Sequence, residues 1–222
     1  MAALIVHTFD PIVLVGGADL GPEDLNTFPT PAPNLVGVDR GADHVLAAGL
    51  TPIAVIGDLD SLSVAARQRY ADITTQVAEQ DTVDFEKALT RVQAPLIYAV
   101  GFSGGRLDHT LAVLDVMGRH ADRPVILIGP DDVTAVVPRG GVTLSLSVGD
   151  RVSILPLATA QVTATGLRWP VDHTAMAPLG FASPSNAAAA TQVRVDADAP
   201  VLLILPRGRL ANLAGAISSS GR

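Results

Sequence analysis

Two aspartates stand two positions apart directly after an apolar run in the segment Ile53–Ser61. The run is rich in β-branched residues and breaks at Gly57, a pattern that is typical of a buried parallel strand. In extended backbone, Asp58 and Asp60 point to the same face, and open α/β sheets bind ligands at the carboxyl ends of their strands. Because paired carboxylates repel each other, this spacing indicates a cation, and Mg²⁺ with a phosphate suits hard oxygen ligands. The alternative is a solvated loop in which one aspartate caps the next helix.

A second acidic segment carries Asp81, Asp84 and Lys87, each three residues from the next. This spacing predicts one face of a helix that opens near Gln80, with the carboxylates at its positive N-terminal end. Such a face could bind a metal ion or hold a substrate. Ordinary capping by Asp81 and an intrahelical ion pair of Lys87 would produce the same pattern.

A glycine-rich segment follows the apolar run 96–100 and contains Gly104, Gly105, Arg106, Asp108 and His109. Glycines let backbone N–H groups approach a phosphate, the next helix offers its N-terminus, and an arginine can bind two phosphate oxygens at once. The Gly-Lys-Ser/Thr ending of a Walker A loop is missing. The alternative is a glycine turn with a local ion pair between Arg106 and Asp108.

The elements that must position these residues alternate between strands and helices up to about Pro138. Strands are predicted at 11–15, 34–39, 53–56, 73–77, 96–100 and 124–129, and helices at 41–49, 64–71, 80–89 and 107–120. Ser61 is the expected N-cap of the helix 64–71. Such alternation predicts a parallel sheet. Four prolines between residues 22 and 33 predict an irregular connection.

The pattern changes after Pro138 to short alternating segments separated by turn residues. These segments predict a small antiparallel β domain, with strands at 142–148, 151–157, 161–165, 192–195 and 201–205. The tail 207–222 is expected to be frayed at its end.

Composition narrows the class of protein. The 222 residues carry 15 Lys plus Arg against 22 Asp plus Glu, giving a net charge of −7, which argues against a nucleic-acid or anionic-membrane partner. The sequence has no cysteine, which excludes disulfides and thiolate metal sites and fits a cytoplasmic location. No apolar run approaches the ~20 residues of a membrane span, and no signal peptide is expected.

Taken in order, the motifs resemble those of the thiamin pyrophosphokinase (thiamine diphosphokinase) family. The resemblance extends from about Val13 to Leu205, and its pieces are Val38–Ala42, Ile56–Ser61, Gln80–Leu89, Gly104–His109, Thr165–Pro170 and Ser185–Asn186. It implies an α/β fold with an N-terminal Rossmann-like parallel α/β catalytic domain, residues 1–137. A C-terminal antiparallel β-sandwich, residues 138–222, would follow and would serve thiamine binding and dimerisation.

The resemblance also implies an activity and its reactants. A pyrophosphoryl group would pass from ATP to the thiamine hydroxyl group, giving thiamine diphosphate and AMP. Mg²⁺ is the implied metal, and the implied assembly is a homodimer with thiamine bound across the interface.

Site residues follow from matching the motifs position by position. The implied metal ligands are Asp58, Asp60 and Asp81, while Asp84 binds metal or orients the substrate hydroxyl. Lys87 and Arg106 would hold ATP phosphates and stabilise transition-state charge. The wider ATP site would comprise Asp39, Arg40, Gly104, Gly105, Arg106, Asp108 and His109, where His109 is either structural or catalytic. Thiamine contacts are expected from Gln80, Trp169, Ser185 and Asn186, although Trp169 could equally serve a core or an interface.

Three positions depart from the family pattern, and the second and third of them keep the substrate open, whereas the first could contact phosphate or close backbone access. Arg40 replaces a glycine, Val83 replaces a threonine, and Ala187 stands where a polar residue is common. A first alternative is therefore a pyrophosphokinase for another heteroaromatic alcohol, such as a hydroxymethylpterin. A second is a non-catalytic nucleotide or ligand sensor. A structural two-domain protein is the third, but it leaves the acidic cluster without a purpose.

Overall fold

The computed structural model describes residues 3–21, 24–25, 28 and 34–220. The irregular connection predicted at residues 22–33 lies largely outside this range. Contacts divide the chain into two compact units, Met1–Val116 and Met117–Arg222.

A parallel sheet organises the first unit. Its order, from one edge to the other, is β7 (Ile97–Val100), β2 (Ile12–Val15), β3 (Asn34–Val38), β4 (Ala54–Gly57) and β5 (Thr74–Gln76). All four strand pairs are parallel. The three strands β2, β4 and β7 are buried along their whole length, as expected for continuous apolar runs covered on both faces. Two short strands, β1 (Val6–His7) and β6 (Val92–Gln93), pair with each other in parallel.

Helices follow the strands much as predicted. They are α1 (Gly41–Ala47), α2 (Val64–Arg69), α3 (Asp84–Leu89) and α4 (Leu107–Arg119). The alternation of β3, α1, β4, α2 and β5 confirms the parallel α/β pattern read from the sequence.

The start of α3 differs from the prediction. The helix begins at Asp84, not near Gln80, and Asp81 lies before it. The Glu79 carboxylate accepts hydrogen bonds from the backbone N–H groups of Asp81 (2.9 Å) and Thr82 (3.1 Å). These bonds hold a local turn that competes with helix formation. The expectation that Asp81 shares a helical face with Asp84 and Lys87 is therefore wrong.

The cap of α2 is also a correction. Ser63, not Ser61, is the N-cap, and its Oγ accepts a hydrogen bond from the Ala66 backbone N–H at 3.1 Å. Ser63 also donates to the Asp43 carboxylate of α1. Ser61 instead donates its hydroxyl to Asp39, because the chain turns for two more residues before the helix starts.

Replacing Ser63 by alanine should lower the free energy of unfolding by about 1 kcal/mol, because the first turn of α2 loses its side-chain acceptor. Urea unfolding of both proteins would measure the difference. Threonine at position 63 keeps an acceptor oxygen and should recover most of the loss. An unchanged urea midpoint in Ser63→Ala would contradict this assignment of the cap.

The second unit contains two antiparallel sheets. One has the order β14 (Ser183–Ala187), β11 (Arg151–Pro156), β16 (Val201–Pro206), β9 (Asp132–Val136) and β8 (Val125–Ile128). The other has the order β10 (Val142–Ser145), β15 (Gln192–Ala197), β12 (Ala160–Thr165) and β13 (Val171–Met176). The predicted class, a parallel α/β part followed by antiparallel β structure, is confirmed. The functional boundary at 137/138 stays a prediction.

The tail contains a helix where fraying was expected. Residues Leu210–Ser220 form α5, which buries Leu210, Leu213, Ala214 and Ile217. These positions recur at helical spacing and form one apolar stripe, so packing keeps the serine-rich end helical through Ser220.

None of the helices in the described part of the chain has the length and hydrophobicity needed to cross a membrane.

Candidate active site

A cavity of about 710 Å³ lies in the first unit at the carboxyl ends of its parallel strands. Gly17 follows β2, Asp39 follows β3, Asp58 follows β4, and Gly101 follows β7, and all four line the cavity. This is the edge at which open α/β sheets bind ligands. The starts of α3 and α4 add Asp84, Lys87 and His109 to its wall.

Three carboxylates form an acidic cluster at this edge. One oxygen each from Asp39, Asp58 and Asp60 lies within 4.8 Å of the others, and this is the group of potential metal ligands found among the described residues. The register of β3 against β4 pairs Val38 with Ile56, which brings the residues after both strands side by side. Gly57 permits the close approach, since a Cβ there would lie 2.9 Å from Asp39 Cβ.

Asp39 has one carboxylate oxygen that accepts no hydrogen bond from any described residue. The residue is 7% exposed, and its Oδ2 accepts the Ser61 hydroxyl while its buried Oδ1 is the oxygen without a partner. A buried carboxylate oxygen without a partner is costly. A hard divalent cation held jointly with Asp58 and Asp60 would remove that cost, and the all-oxygen donor set suits Mg²⁺.

Lys87 is the single lysine of the sequence and lies directly beside the cluster. Its side chain is 2% exposed, and Nζ donates to Asp58 Oδ2 and to Asp84 Oδ1, both at 3.0 Å. A buried ammonium requires such partners, because an unpaired charge in the interior is strongly unfavourable. Asp84 and Lys87 thus lie on one face of α3 and form an ion pair. Through its bond to Asp58, Lys87 also connects α3 to the end of β4.

The neighbouring charges shift the pKa values of the site in opposite directions. Burial tends to raise the pKa of Asp58, but hydrogen bonds from Lys87 and the Asp60 backbone outweigh it and hold that pKa below 3.8. The Asp58 charge raises the pKa of Asp60 above 3.8. Burial would lower the pKa of Lys87, yet its bonds to Asp84 and Asp58 raise that pKa above 10.5. At neutral pH Lys87 and Asp58 therefore face each other as a charged pair.

Asp84 differs from Asp58 although both accept from Lys87. Burial raises its pKa and outweighs the hydrogen bond from Lys87. Its carboxylate is therefore more basic than that of an ordinary aspartate.

The glycine-rich segment contributes residues to the lining of the cavity. Gly105, Arg106 and His109 line it, while Gly104 and Asp108 are not among the lining residues. The exposed guanidinium of Arg106 binds the Asp108 carboxylate at 2.5 and 3.1 Å, which is the local ion pair considered from sequence. The Asp108 carboxylate therefore compensates the charge of Arg106.

Arg40 is a positively charged residue of the cavity lining whose guanidinium is not paired with a carboxylate among the described residues. It precedes α1, and its residue is exposed. Its side chain begins close to Gly17, where an added Cβ would lie 3.1 Å from the Cβ of Arg40. In the described part of the chain its guanidinium has neither a hydrogen bond nor an ion pair. Arg40 therefore offers an uncompensated positive charge to an anion in the cavity.

The segment before α3 contributes unevenly. Gln80, Thr82 and Val83 line the cavity, and Gln80 Nε2 donates to Asp58 Oδ2 at 3.4 Å. Asp81 is exposed and belongs neither to the acidic cluster nor to the cavity lining. Of the three predicted metal ligands the structure thus brings together Asp58 and Asp60, with Asp39 as their third member.

The remaining predicted site residues lie in the second unit. Asn186 is 1% exposed, and both polar atoms of its amide bond within the protein. Its Oδ1 accepts hydrogen bonds from the backbone N–H groups of Trp169 and Ala187. Its Nδ2 donates to the Trp169 carbonyl oxygen and to Ser183 Oγ. Trp169 itself is 55% exposed and stacks with Arg168. Ser185 has a positive φ of 56° and donates its backbone N–H to Ser153 Oγ.

Sequence reasoning missed two kinds of residue. Phe102 lines the cavity and packs against Phe85 at 4.9 Å between ring centroids, although it lies inside the glycine-rich segment that was singled out. Arg67 and Gln76 bind backbone carbonyls of the aspartate-bearing turn. No spacing rule predicts such contacts, since they depend on how α2 and β5 pack.

Comparisons with protein families match both parts of the chain. Residues 27–127 match the profile described as thiamin pyrophosphokinase, catalytic domain, and residues 142–202 match that described as thiamin pyrophosphokinase, vitamin B1 binding domain. The first match includes the acidic cluster, Lys87 and the glycine-rich segment.

Curated relatives and solved structures point the same way. The chain is 29% identical over 154 residues to thiamine pyrophosphokinase 3 of Oryza sativa subsp. japonica, covering 61% of this chain and 58% of that protein. It is 28% identical over 150 residues to thiamine pyrophosphokinase of Bacillus subtilis (strain 168), covering 62% and 70%. The crystal structure of thiamin pyrophosphokinase from Geobacillus thermodenitrificans superposes with a TM-score of 0.76 at 28% identity, covering 88% of this chain and 96% of that one. The matches span 58–64% of the length of the plant relatives.

Proposed function

This chain belongs to the thiamin pyrophosphokinase family, and on that premise we propose that it transfers a pyrophosphoryl group from ATP to the hydroxyl group of thiamine. The hydroxyl oxygen forms a bond to the β-phosphorus of ATP. The bond from that phosphorus to the α–β bridging oxygen breaks, and AMP leaves with the bridging oxygen. The products are thiamine diphosphate, AMP and a proton.

One observation carries the proposal: Asp39 and Asp58 of the acidic cluster and the buried Lys87 line the same cavity at the carboxyl ends of parallel strands. Phosphoryl-type transfer needs alignment and neutralisation of charge more than covalent help from the protein. Adjacent carboxylates and cations around a cavity of about 710 Å³ are suited to a nucleotide with its divalent cation.

The proposed metal ligands are Asp39, Asp58 and Asp60, with Asp81 retained as a candidate that would act through water or after a movement of its turn. When bound there, Mg²⁺ supplies neutralisation of phosphate charge and an ordered geometry for the phosphate chain. The partnerless Oδ1 of Asp39 is the feature that favours including this residue.

The cations of the cavity have separate proposed roles. Lys87 stabilises charge that develops on the transferred group, and its two carboxylate partners fix its position. Arg40 and Arg106 bind ATP phosphates, with Asp108 holding Arg106 in place between turnovers. Gly104 and Gly105 give the phosphates access to backbone N–H groups, and His109 contributes to the ATP pocket from the start of α4.

Asp84 is proposed to orient the thiamine hydroxyl group and to accept its proton. Its pKa is raised by burial, which makes the carboxylate a better proton acceptor than an exposed aspartate would be. Lys87 donates to the Oδ1 atom of Asp84, so the second carboxylate oxygen is the one available to the substrate.

Recognition of thiamine is proposed for Gln80 and for residues of the second unit. Asn186 acts indirectly, by fixing the backbone of Trp169, whereas Trp169 and Ser185 contact the substrate. We further propose a homodimer, which the exposed apolar side chains Trp169, Leu179 and Phe181 support. The net charge of −7 favours small-molecule partners over nucleic acid or anionic membranes, and the lack of cysteine fits work in the cytoplasm.

The test is formation of AMP from ATP and Mg²⁺, measured with and without thiamine. Thiamine-dependent AMP with thiamine diphosphate as co-product is the expected result. AMP formed with a hydroxymethylpterin but not with thiamine would mean that the enzyme catalyses the same reaction on another alcohol. Binding of ATP without AMP from any alcohol would replace the proposed enzyme by a sensor.

Replacing Arg40 by methionine should raise the KM for ATP about tenfold and change kcat much less. The side chain supplies charge to the bound phosphates, and loss of one charge-assisted contact is worth about 1.5–3 kcal/mol in a well-formed site and less at an exposed one. Steady-state kinetics at varied ATP would measure the effect.

The matched control is Arg139→Met, which removes an exposed arginine of the second unit. Both variants lose one positive charge, so a general effect of net charge on ATP binding would appear in both. Equal KM values for wild type and Arg40→Met would remove Arg40 from the ATP site.

A further inference from the structure

The backbone between two of the clustered carboxylates adopts a conformation that a leucine rarely accepts. Leu59 has a φ of 69°, in the left-handed region, which is unfavourable for a residue with a bulky side chain. Its side chain is 6% exposed and packs in a core cluster with Val55, Leu62, Ala66 and Tyr70. One hydrogen bond lies within the turn, from the Asp60 backbone N–H to Asp58 Oδ1 at 3.3 Å, so contacts from other elements must supply the rest of the restraint.

Two side chains hold the carbonyl groups of the aspartate turn, residues 58–61. The guanidinium Nη2 of Arg67 on α2 donates to the Leu59 carbonyl oxygen. Gln76 on β5 donates its Nε2 to the Asp58 carbonyl oxygen at 3.0 Å, and the pairing of Gly57 with Gln76 in the sheet brings it there. Neither Arg67 nor Gln76 lines the cavity.

These two contacts act on the backbone and use no carboxylate oxygen of the turn. The Asp58 carboxylate accepts from Lys87, and one carboxylate oxygen of Asp60 lies within 4.8 Å of one from Asp39 and one from Asp58. The carbonyl groups of Asp58 and Leu59 instead accept from the two side chains. A charged donor on a carbonyl forms a stronger bond than a neutral one. If the Leu59 carbonyl were released, the strained φ could relax, and the mutually repelling carboxylates of Asp58 and Asp60 would separate.

We propose that Arg67 and Gln76 are positioning residues that keep the aspartate turn in its left-handed conformation, so that Asp58 and Asp60 converge with Asp39 on one divalent cation. This inference rests on the proposed function for the identity of the site. It concerns only how the chain arranges its own carboxylates.

The experiment compares Arg67→Met with Arg69→Met, which lies on the same helix and contacts the Tyr70 ring and not the turn. Mn²⁺ is the probe, and its binding to the full chain is measured by electron paramagnetic resonance without any nucleotide. Loss of a contact that orients metal ligands typically weakens metal binding about 10–100-fold, and we expect at least tenfold for Arg67→Met. Arg69→Met should bind Mn²⁺ as wild type does.

Thermal unfolding without metal separates positioning from general stability. Equal midpoints for the two arginine variants, with weaker Mn²⁺ binding only in Arg67→Met, support the inference. Gln76→Met removes the other side-chain bond to the same turn and should also weaken Mn²⁺ binding. This variant tests the inference even if Arg67→Met does not fold. Arg67→Lys retains the charge and should recover part of the affinity.

Wild-type Mn²⁺ affinity in both Arg67→Met and Gln76→Met would overturn the inference, and so would failure of wild type to bind Mn²⁺. The proposed function fails separately. If wild type binds Mn²⁺ in a manner that depends on Arg67 but makes no AMP, the positioning role stands and the reaction does not.

Discussion

Replacing Asp58 by asparagine is expected to lower kcat/KM for AMP formation by about 10²–10³-fold, because it removes a charge from the reacting site without changing volume. Asp58 belongs to the acidic cluster and accepts from Lys87 at 3.0 Å. Asparagine keeps an acceptor oxygen for Lys87, and Asp84 still neutralises the ammonium group. The fold should therefore persist while the proposed reaction slows.

The measurement is the initial rate at saturating thiamine over a series of Mg²⁺ concentrations. Asp72→Asn is the matched control, since Asp72 is exposed and lies outside the cavity lining. Both variants lose one negative charge. A normal rate in Asp58→Asn, with activation by Mg²⁺ at the usual concentration, would show that the acidic cluster is not the metal site.

Replacing Lys87 by methionine should have a comparable effect on turnover, about 10²–10³-fold, and should also destabilise the protein. The ammonium is 2% exposed and satisfies two carboxylates. Removing it leaves Asp58 and Asp84 facing each other without a cation. Because both carboxylates border the cavity and can be reached by water, we expect a loss of about 1.5–3 kcal/mol, below the ~3–5 kcal/mol of a fully enclosed pair.

The pH dependence of that loss has a defined sign. The pKa of Asp58 is lowered below 3.8, so its contribution to stability is present above 3.8 and disappears as the pH falls through the folded-state value. The pKa of Lys87 is raised above 10.5, so its contribution is complete below 10.5 and disappears as the pH rises through the folded-state value. The stability difference between wild type and Lys87→Met should be largest near neutral pH. It should shrink as the pH falls toward 3.8, because burial favours protonation of Asp58 and Asp84 once Lys87 is gone, and it should shrink again as the pH rises through the raised pKa of Lys87.

Urea unfolding across that pH range measures the difference, and the double variant Asp58→Asn/Lys87→Met supplies the control. If Lys87 acts through Asp58, the two substitutions should be non-additive, because either one removes the same charged pair. Strict additivity would mean that the pairing of the Asp58 and Lys87 charges contributes nothing to stability. A difference that grows below pH 3.8 would reverse the sign assigned to Asp58.

The positions of most strands and helices were predictable because they depend on local patterns. Buried parallel strands appear as apolar runs such as Ile97–Val100, and amphipathic segments such as Leu107–Arg119 carry helical spacing. The change from alternating strands and helices to short antiparallel strands was also visible. What escaped were strands without a strong alternating pattern, among them Ser183–Ala187, which contains proline and asparagine.

Most of the residues that border the candidate site could be predicted from local spacing. Asp58, Asp60, Asp84, Lys87 and the glycine-rich segment were recognisable from residue type and spacing, because two carboxylates after a strand or an i,i+3 pair on a helix are local features. Local spacing also accounts for the Lys87–Asp84 contact.

Which carboxylates converge depends on how the strands pair and the helices pack. Asp39 joins the cluster because β3 and β4 are adjacent and in register, while Asp81 stays apart because Glu79 fixes a turn before α3. The left-handed Leu59 and its restraint by Arg67 likewise depend on packing between elements. A spacing rule describes neighbours along the chain, whereas metal binding depends on distances between elements that the chain brings together only when it folds.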